Sequence, residues 1–414
     1  MYFYKKQNIQ LANEVLNSLK SNKKIIAKKI VQDVKKPLKD ANLELQNSID
    51  ILSFAIKEFL KVKLTLNIFE NNQNIGNIIY EPIGCVAFIT PWNYPLLTIF
   101  ERLPFAILSG CQIILKPSEY TPNFNTILKK IFKKNKLINS KIEVILSKDQ
   151  TQGKSLTYNK NIDMISFVGS ANTAKKIIKQ TSNSLKKISL ELGGKNTAIL
   201  LDKKFNNKII DKIILGIFEN SGRACVAISK ILISEKIYND FFHALKNRII
   251  NKFIKKNVFK RKVLNFEKEK IEKIILYLNK KIHNKNKHYL SKNKENFCLL
   301  IDDKTSTNQK HLDEEFFFPI VSCQSFKDEN QLIKKANKSK YGLACYVFSD
   351  NNNKIKNIVK FLDFGRIWIN SGPTNWSPKL PVGGKKMSGK SFDMGSQGFF
   401  NYLIPKSIYH KRTL

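Results

Sequence analysis

Two reactive side chains stand 34 positions apart in small-residue settings. Cys225 closes the run Asn220-Ser221-Gly222-Arg223-Ala224-Cys225, and Glu191 opens Glu191-Leu192-Gly193-Gly194-Lys195. A cysteine offers a strong nucleophile whose thiolate is reachable near neutral pH, and a carboxylate can take a proton from water. Together they are the groups that acyl transfer through a covalent intermediate requires. Taken singly, each has a plainer reading. A lone cysteine is most often a small buried hydrophobe, and a Glu beside two glycines fits a surface turn. The remaining cysteines, at 85, 111, 298, 323 and 345, form no Cys-x-x-Cys pair. That spacing gives no metal site and no disulfide framework.

The elements that must position these groups are legible in the apolar spacing. Residues 1–62 read as helices, with Ile30, Val34, Leu38 and Leu45, then Ile49, Leu52, Ile56 and Leu60, mostly three or four positions apart. Two strands, Leu64–Phe69 and Ile75–Tyr80, flank the turn Asn71-Asn72-Gln73-Asn74. Strands at Cys85–Thr90, Cys111–Lys116, Ile142–Leu146 and Met164–Phe167 then alternate with helices at Leu96–Ser109 and Pro122–Phe132. This alternation predicts a parallel, doubly wound α/β sheet. A second α/β series follows Glu191. Its strands are Thr197–Leu201, Ile231–Ser234, Phe297–Asp302, Ile320–Ser325, Ala344–Ser349 and Gly365–Asn370, and its helices are Lys208–Ser221 and Phe241–Lys256. Ser371–Gly389, rich in Gly and Pro, reads as a long functional loop.

Composition narrows the class. The chain has 414 residues, 42% of them hydrophobic, and a formal net charge of +39. Only six of the 72 basic residues are Arg, and the Lys are spread through the chain among Asn, Ile and Phe. A nucleic-acid binder would gather its charge on one face, so the reading is a solvated lysine surface with weak nonspecific attraction to polyanions and no specific nucleic acid. Asn251 to Lys294, dense in Lys over Ile and Leu, predicts an exposed amphipathic helix pair. The sequence lacks an apolar run of about 18 residues, and Met1-Tyr2-Phe3-Tyr4-Lys5-Lys6-Gln7 lacks the order of a signal peptide. A soluble cytoplasmic protein with no membrane contact is expected.

Several motifs occur in a fixed order: Pro91-Trp92-Asn93-Tyr94-Pro95, Lys116-Pro117-Ser118-Glu119, Phe167-Val168-Gly169-Ser170, the Glu191 and Cys225 segments, Glu314-Glu315-Phe316-Phe317-Phe318-Pro319, and Pro381-Val382-Gly383-Gly384-Lys385-Lys386-Met387-Ser388-Gly389. With them the chain resembles the NAD(P)-dependent aldehyde dehydrogenase superfamily from about Glu81 to about Tyr402. The resemblance implies an aldehyde dehydrogenase-like α/β fold. A Rossmann-type dinucleotide-binding domain (1–62 and 83–193) would join an α/β catalytic domain (194–393), with a small oligomerisation hairpin and tail (63–82 and 394–414). It implies Cys225 as nucleophile, Asn93 as oxyanion donor with the Cys225 N–H, and Glu191 as the base for the deacylating water. NAD rather than NADP is implied as cofactor, with Trp92, Lys116, Glu119, Gly169, Ser170, Leu192, Glu315 and Phe317 around it. Glu119 would accept the ribose hydroxyls and repel a 2′-phosphate. Tyr94, Glu101 and Trp376 fall on the segments that line the aldehyde tunnel. Glu101 stands where some relatives place Trp, which points toward a cationic substrate and the betaine or amino-aldehyde branch. A homodimer or homotetramer is implied.

The chain also departs from the family pattern. Arg223 replaces Gln, a cation that either assists thiolate formation or points to solvent. Val168 replaces Thr, and Phe318 replaces Gly. Ser147 and Asp149 stand where glycines are common, and Ser391-Phe392-Asp393 replaces Gly-Arg-Glu. A proton-relay Glu near the C-terminus is expected at the position of Ile404. The chain begins nearer its Pro-Trp-Asn motif than full-length relatives do, implying a shortened N-terminal region. These losses motivate a second reading, a decayed noncatalytic homologue. Retention of Cys225, Glu191 and Asn93 speaks against it.

Overall fold

The computed structural model describes residues 2–255, 263–291, 298–304 and 310–412. Three helices, Tyr2–Ser21, Lys23–Val34 and Leu38–Phe59, open the chain. The third buries Ala41, Leu45, Ser48, Leu52, Ala55 and Phe59. Glu44 lies on that same face, at helical spacing from Ala41 and Ser48, and is buried with them. Its charge is neutralised by Lys36, whose Nζ lies 2.6 Å from Oε2. Oε1 accepts the backbone N–H groups of Leu96 (2.9 Å) and Leu97 (3.2 Å), and Lys36 Nζ also donates to the Asn93 carbonyl at 2.9 Å. The opening helices therefore hold the Pro91–Leu97 segment through a dry ion pair.

The first large sheet is five-stranded and parallel. Ile142–Val144, Gln112–Lys116, Cys85–Ile89, Met164–Gly169 and Lys187–Leu192 lie side by side in that order. Chain order runs outward in both directions from Cys85–Ile89. The switch point, where such sheets bind ligands, is thus at the carboxyl ends of Cys85–Ile89 and Met164–Gly169. The second sheet is seven-stranded. Lys287–Ser291, Cys298–Asp302, Ile320–Phe326, Ile228–Ser234, Asn196–Leu200, Ala344–Phe348 and Arg366–Ile369 are neighbours in that order, and only the first pair is antiparallel. A separate antiparallel sheet joins Thr65–Glu70, Asn74–Pro82 and Leu403–Lys411. The core of the first sheet also takes in Val382, Met394, Phe399, Tyr402 and Leu403 from the far end of the chain.

The predicted helix Leu96–Ser109 is two short helices, Leu97–Phe100 and Leu103–Leu108. Arg102 leaves helical geometry between them (φ −127°, ψ −50°), and Pro104, which lacks an N–H, sits in the first turn of the second helix, where that N–H has no intrahelical partner. Among the described residues of 251–294, the expected helix pair is replaced by the helix Asn265–Lys281 and the strand Lys287–Ser291. The preceding helix, Tyr238–Arg248, ends in a π-helical turn, Ile249–Ile254. Residues 256–262 and 292–297, which include Arg261 and Phe297, lie outside the described residues. Among the described residues no helix is long and apolar enough to cross a membrane.

Replacing Glu44 by Ala would take from Lys36 the carboxylate it bonds, and from the Leu96 and Leu97 N–H groups their acceptor, in a dry site. The expected loss of stability is about 3–5 kcal/mol, read as a lower urea midpoint with an unchanged m-value. Replacement of exposed Lys57, on the same helix, should move the midpoint by no more than about 0.5 kcal/mol.

Candidate active site

The first sheet presents its carboxyl ends and the second its amino ends to one cavity of ≈ 1670 Å³. Glu191 lies near the end of Lys187–Leu192, and Cys225 three residues before Ile228–Ser234. Cys225, Glu191 and Asn93 all line the cavity. So do the residues expected around a cofactor, Trp92, Lys116, Glu119, Gly169, Ser170, Leu192, Glu315 and Phe317. Tyr94, Glu101 and Trp376 line it as well.

The turn before Cys225 is shaped by left-handed backbone at Asn220 (φ 47°), Ser221 (φ 58°) and Gly222 (φ 78°). It is clasped to the Trp92-Asn93 segment from both sides. Asn93 Nδ2 donates to the Arg223 carbonyl at 2.8 Å, and Asn220 Nδ2 donates to the Asn93 carbonyl at 3.0 Å. The Cys225 carbonyl accepts from Asn196 Nδ2 at 2.7 Å. Asn93 is not a helix cap, because Glu44 takes the N–H groups of Leu96 and Leu97. Burial pushes the Cys225 thiol up to about 12. The Glu191 carboxylate adds to the shift and Arg366 opposes it.

Glu191 is buried and bonded through both oxygens. Arg102 Nη2 bonds Oε2, and Arg366 Nη2 donates to Oε1 at 2.7 Å. Burial disfavours its charge, yet the two guanidiniums outweigh burial and hold the carboxyl below its ordinary value. Arg102 is itself buried and lies 3.0 Å from Asp393 Oδ2 and 3.4 Å from Glu101 Oε2. Burial, then the Glu191 charge, raise Glu101 to about 7. The backbone here is fixed by Gly389, whose φ is +121° and where a Cβ would lie 2.1 Å from the Leu190 carbonyl. Ser388 Oγ bridges the Gly193 carbonyl and the Gly342 N–H at 2.8 and 3.0 Å.

At the other end Glu315 lies across Gly193, where a Cβ would sit 1.8 Å from its carboxylate, and it accepts the Gly194 N–H at 3.2 Å. Burial raises Glu315 to about 7. Lys116 pairs with Glu119 at 3.2 Å. Ser170 caps the helix Ala171–Thr181, its Oγ accepting the Thr173 N–H at 3.2 Å, so the positive end of that helix faces the cavity. Trp92 packs edge-on against Phe317 and Phe266. Ser147 and Asp149 bond one another and Thr151, closing the eroded glycine loop as an ordinary polar turn.

Three expectations change. Arg223 neither reaches the thiol nor points to solvent. It is buried, bonded to Glu267 at 2.5 Å and to the Ser221 carbonyl at 2.8 Å. Phe318 is accommodated because Phe317 takes the positive φ (63°), letting Phe318 pack beneath the Arg223 guanidinium. Ile404 is exposed, paired with Glu81 at the sheet edge. The buried acid beside Glu191 and Arg102 is Asp393. Sequence reasoning also missed Arg366, Glu219, Lys36 and Glu44. Glu44 had a signal in its place on an apolar helix face, and Arg366 in opening the otherwise apolar Arg-Ile-Trp-Ile. Glu219 bonds the Tyr94 hydroxyl at 2.7 Å, and nothing in its sequence setting marks it.

The aldehyde dehydrogenase family model matches residues 4–408. A betaine aldehyde dehydrogenase of Bacillus subtilis is 30% identical over 345 residues, covering 81% of this chain and 70% of its own. An aldehyde dehydrogenase of Emericella nidulans is 31% identical, covering 90% and 76%. Among solved structures, betaine aldehyde dehydrogenase of Staphylococcus aureus in complex with NAD+ superposes with a TM-score of 0.87 at 26% identity, over 98% of this chain and 82% of that one.

With the thiol held near 12, Cys225 alkylation by iodoacetamide should rise about tenfold per pH unit from 8 to 10 without levelling. Mass mapping of the Cys225 peptide checks this. A plateau below pH 9 would contradict the burial argument.

Proposed function

The chain belongs to the aldehyde dehydrogenase family and is an aldehyde-oxidising oxidoreductase, and from that premise we propose that it oxidises a cationic aldehyde through a thioester on Cys225, with NAD as acceptor. The observation that carries this is the meeting of Cys225, Asn93 and Glu191 in one cavity whose other end offers ribose and phosphate partners. Cys225 gives up its thiol proton to solvent, and the sulfur adds to the carbonyl carbon. Asn93 Nδ2 has a second N–H beyond the one given to Arg223, and with the Cys225 N–H it would hold the oxyanion. Glu191 then takes the proton of the water that cleaves the thioester.

The far end of the cavity suits a dinucleotide. Gly169, Ser170 and the helix end behind them fit a pyrophosphate. Lys116 and Glu119 fit the adenosine ribose, and Glu315 fits the second ribose with Leu192, Phe317 and Trp92 as walls. When bound, NAD would supply the hydride acceptor. The carboxylate of Glu119 disfavours a 2′-phosphate, hence NAD over NADP. In this reading 1–62 and 83–193 form the NAD-binding domain and 194–393 the catalytic domain. Residues 63–82 and 394–414 carry a homodimer or homotetramer contact, supported by exposed Ile68, Phe69 and Tyr409 on that sheet.

The cationic substrate follows from charge. Asp40, Glu101 and Glu219 line the cavity with Tyr94, while Arg366 is taken by Glu191 and Lys36 by Glu44. An acidic mouth on a chain of net charge +39 selects against anions locally and favours an ammonium held over aromatic faces. A betaine aldehyde dehydrogenase of Bacillus subtilis and an aminoaldehyde dehydrogenase of Zea mays are among the relatives.

NADH formation, followed by absorbance over aliphatic, aromatic, semialdehyde and betaine aldehydes, tests the reading. Activity should be highest with the cation and vanish in Cys225→Ala. A folded wild type inactive with both NAD and NADP would favour the decayed homologue. Glu101 is neutral below about pH 7 and anionic above it. The KM of a cationic aldehyde relative to its neutral isostere should therefore fall about three- to tenfold from pH 6 to 8. Glu101→Gln should remove that dependence.

A further inference from the structure

Each oxygen of Glu191 already accepts a charge-assisted bond from a guanidinium. Arg102 cannot release its oxygen easily. It is buried, bonded to the Thr98 carbonyl at 2.9 Å, and held by Asp393 and Glu101. Arg366 differs. It is the first residue of the strand Arg366–Ile369, its side chain is 15% exposed against 1% for Arg102, and Glu191 is its one ion-pair partner among the described residues. Its Nε is buried without a hydrogen-bond partner. The charged or titratable groups facing the Glu191 carboxylate are thus Arg102, Arg366, Glu101, Asp393 and the Cys225 thiol, with Tyr402 behind Asp393. A carboxylate in two charge-assisted bonds keeps lone pairs for water but is the weaker base for them, and takes the proton more readily when one donor withdraws.

We propose that Arg366 is a positioning residue that, with Arg102, restrains Glu191, so that cleavage of the thioester by water limits turnover and the acyl group on Cys225 stays open to other nucleophiles. This rests on the roles given above to Cys225 and Glu191. In hydrolysis the water oxygen bonds to the acyl carbon, one water proton passes to Glu191, and the carbon–sulfur bond breaks to give acid and thiolate. Hydroxylamine, a small amine probe, forms a carbon–nitrogen bond instead. The carbon–sulfur bond breaks, a nitrogen proton passes to the departing thiolate, and the hydroxamic acid forms with no change of oxidation state in that step.

The test mixes wild-type enzyme, NAD and the best aldehyde in a stopped-flow instrument, with and without hydroxylamine, and measures the ratio of hydroxamate to acid. The expected result is a burst of about one NADH per active site, followed by a slower phase that hydroxylamine accelerates. In Arg366→Gln the product ratio should move toward acid by about tenfold or more. That ratio does not depend on how fast the acyl-enzyme forms, so a slower first step cannot mask it. The acid limb of hydrolysis should also move to higher pH in Arg366→Gln, because Glu191 loses a cation that favours its charged form. Arg366→Lys, which keeps the charge but not the fork, should fall between the two and carries the comparison if the Gln variant does not fold. NADH without a burst, or a product ratio unchanged or shifted toward hydroxamate in the variants, overturns the inference alone. No NADH from the wild type with any aldehyde overturns both the inference and the dehydrogenase reading beneath it.

Discussion

A guanidinium cannot shed its charge in a protein, and Arg102 is buried at the meeting point of the first sheet, the Leu97–Leu108 helices and the C-terminal segment. Its neutralisation therefore dictates its surroundings. Glu191 must be a carboxylate pointing inward, Asp393 must be carried in by the chain after Gly389, and Glu101 must be near enough to share the field yet far enough to take a proton. Glu191, the proposed base, is thus part of the architecture as well as of the site. Leaving any one of these charges unmatched in a dry interior costs several kcal/mol.

The same logic operates at a second buried pair. Lys36, in the link between the second and third helices, and Glu44, on the third, do not touch the Cys225 turn, yet their polar ends hold the Asn93 carbonyl and the Leu96 and Leu97 N–H groups. Asn93 then clasps the Cys225 turn. A route of direct hydrogen bonds runs from the opening segment to the Cys225 turn, and each step satisfies a backbone group that would otherwise be stranded.

Much of this was legible in the chain. The period-two and period-three-to-four patterns placed both sheets, because parallel strands buried on both faces read as continuous apolar runs. The Gly193 and Gly389 positions carried a further signal, since a Cβ at either would collide with Glu315 or Leu190. What escaped was pairwise. Which acid meets Arg102 depends on how residue 393 returns to residue 102, and no local spacing encodes that. The family pattern directed attention to Ile404, whereas the fold brings Asp393. Arg223 likewise looked free because Glu267 lies on a helix 44 residues later. Charges in an interior find partners through tertiary structure, so their roles are the last to be read from sequence.

The sheet formed by Asn74–Pro82 and Leu403–Lys411 joins residues from opposite ends of the chain, and Phe399 and Tyr402 pack into the core of the first sheet. During synthesis the amino-terminal half therefore cannot complete its own interior. It must wait, partly open, until the final segment has left the ribosome. Until then the apolar face that meets Phe399 and Tyr402 stays uncovered. A surface dense in lysine keeps such chains apart while they wait.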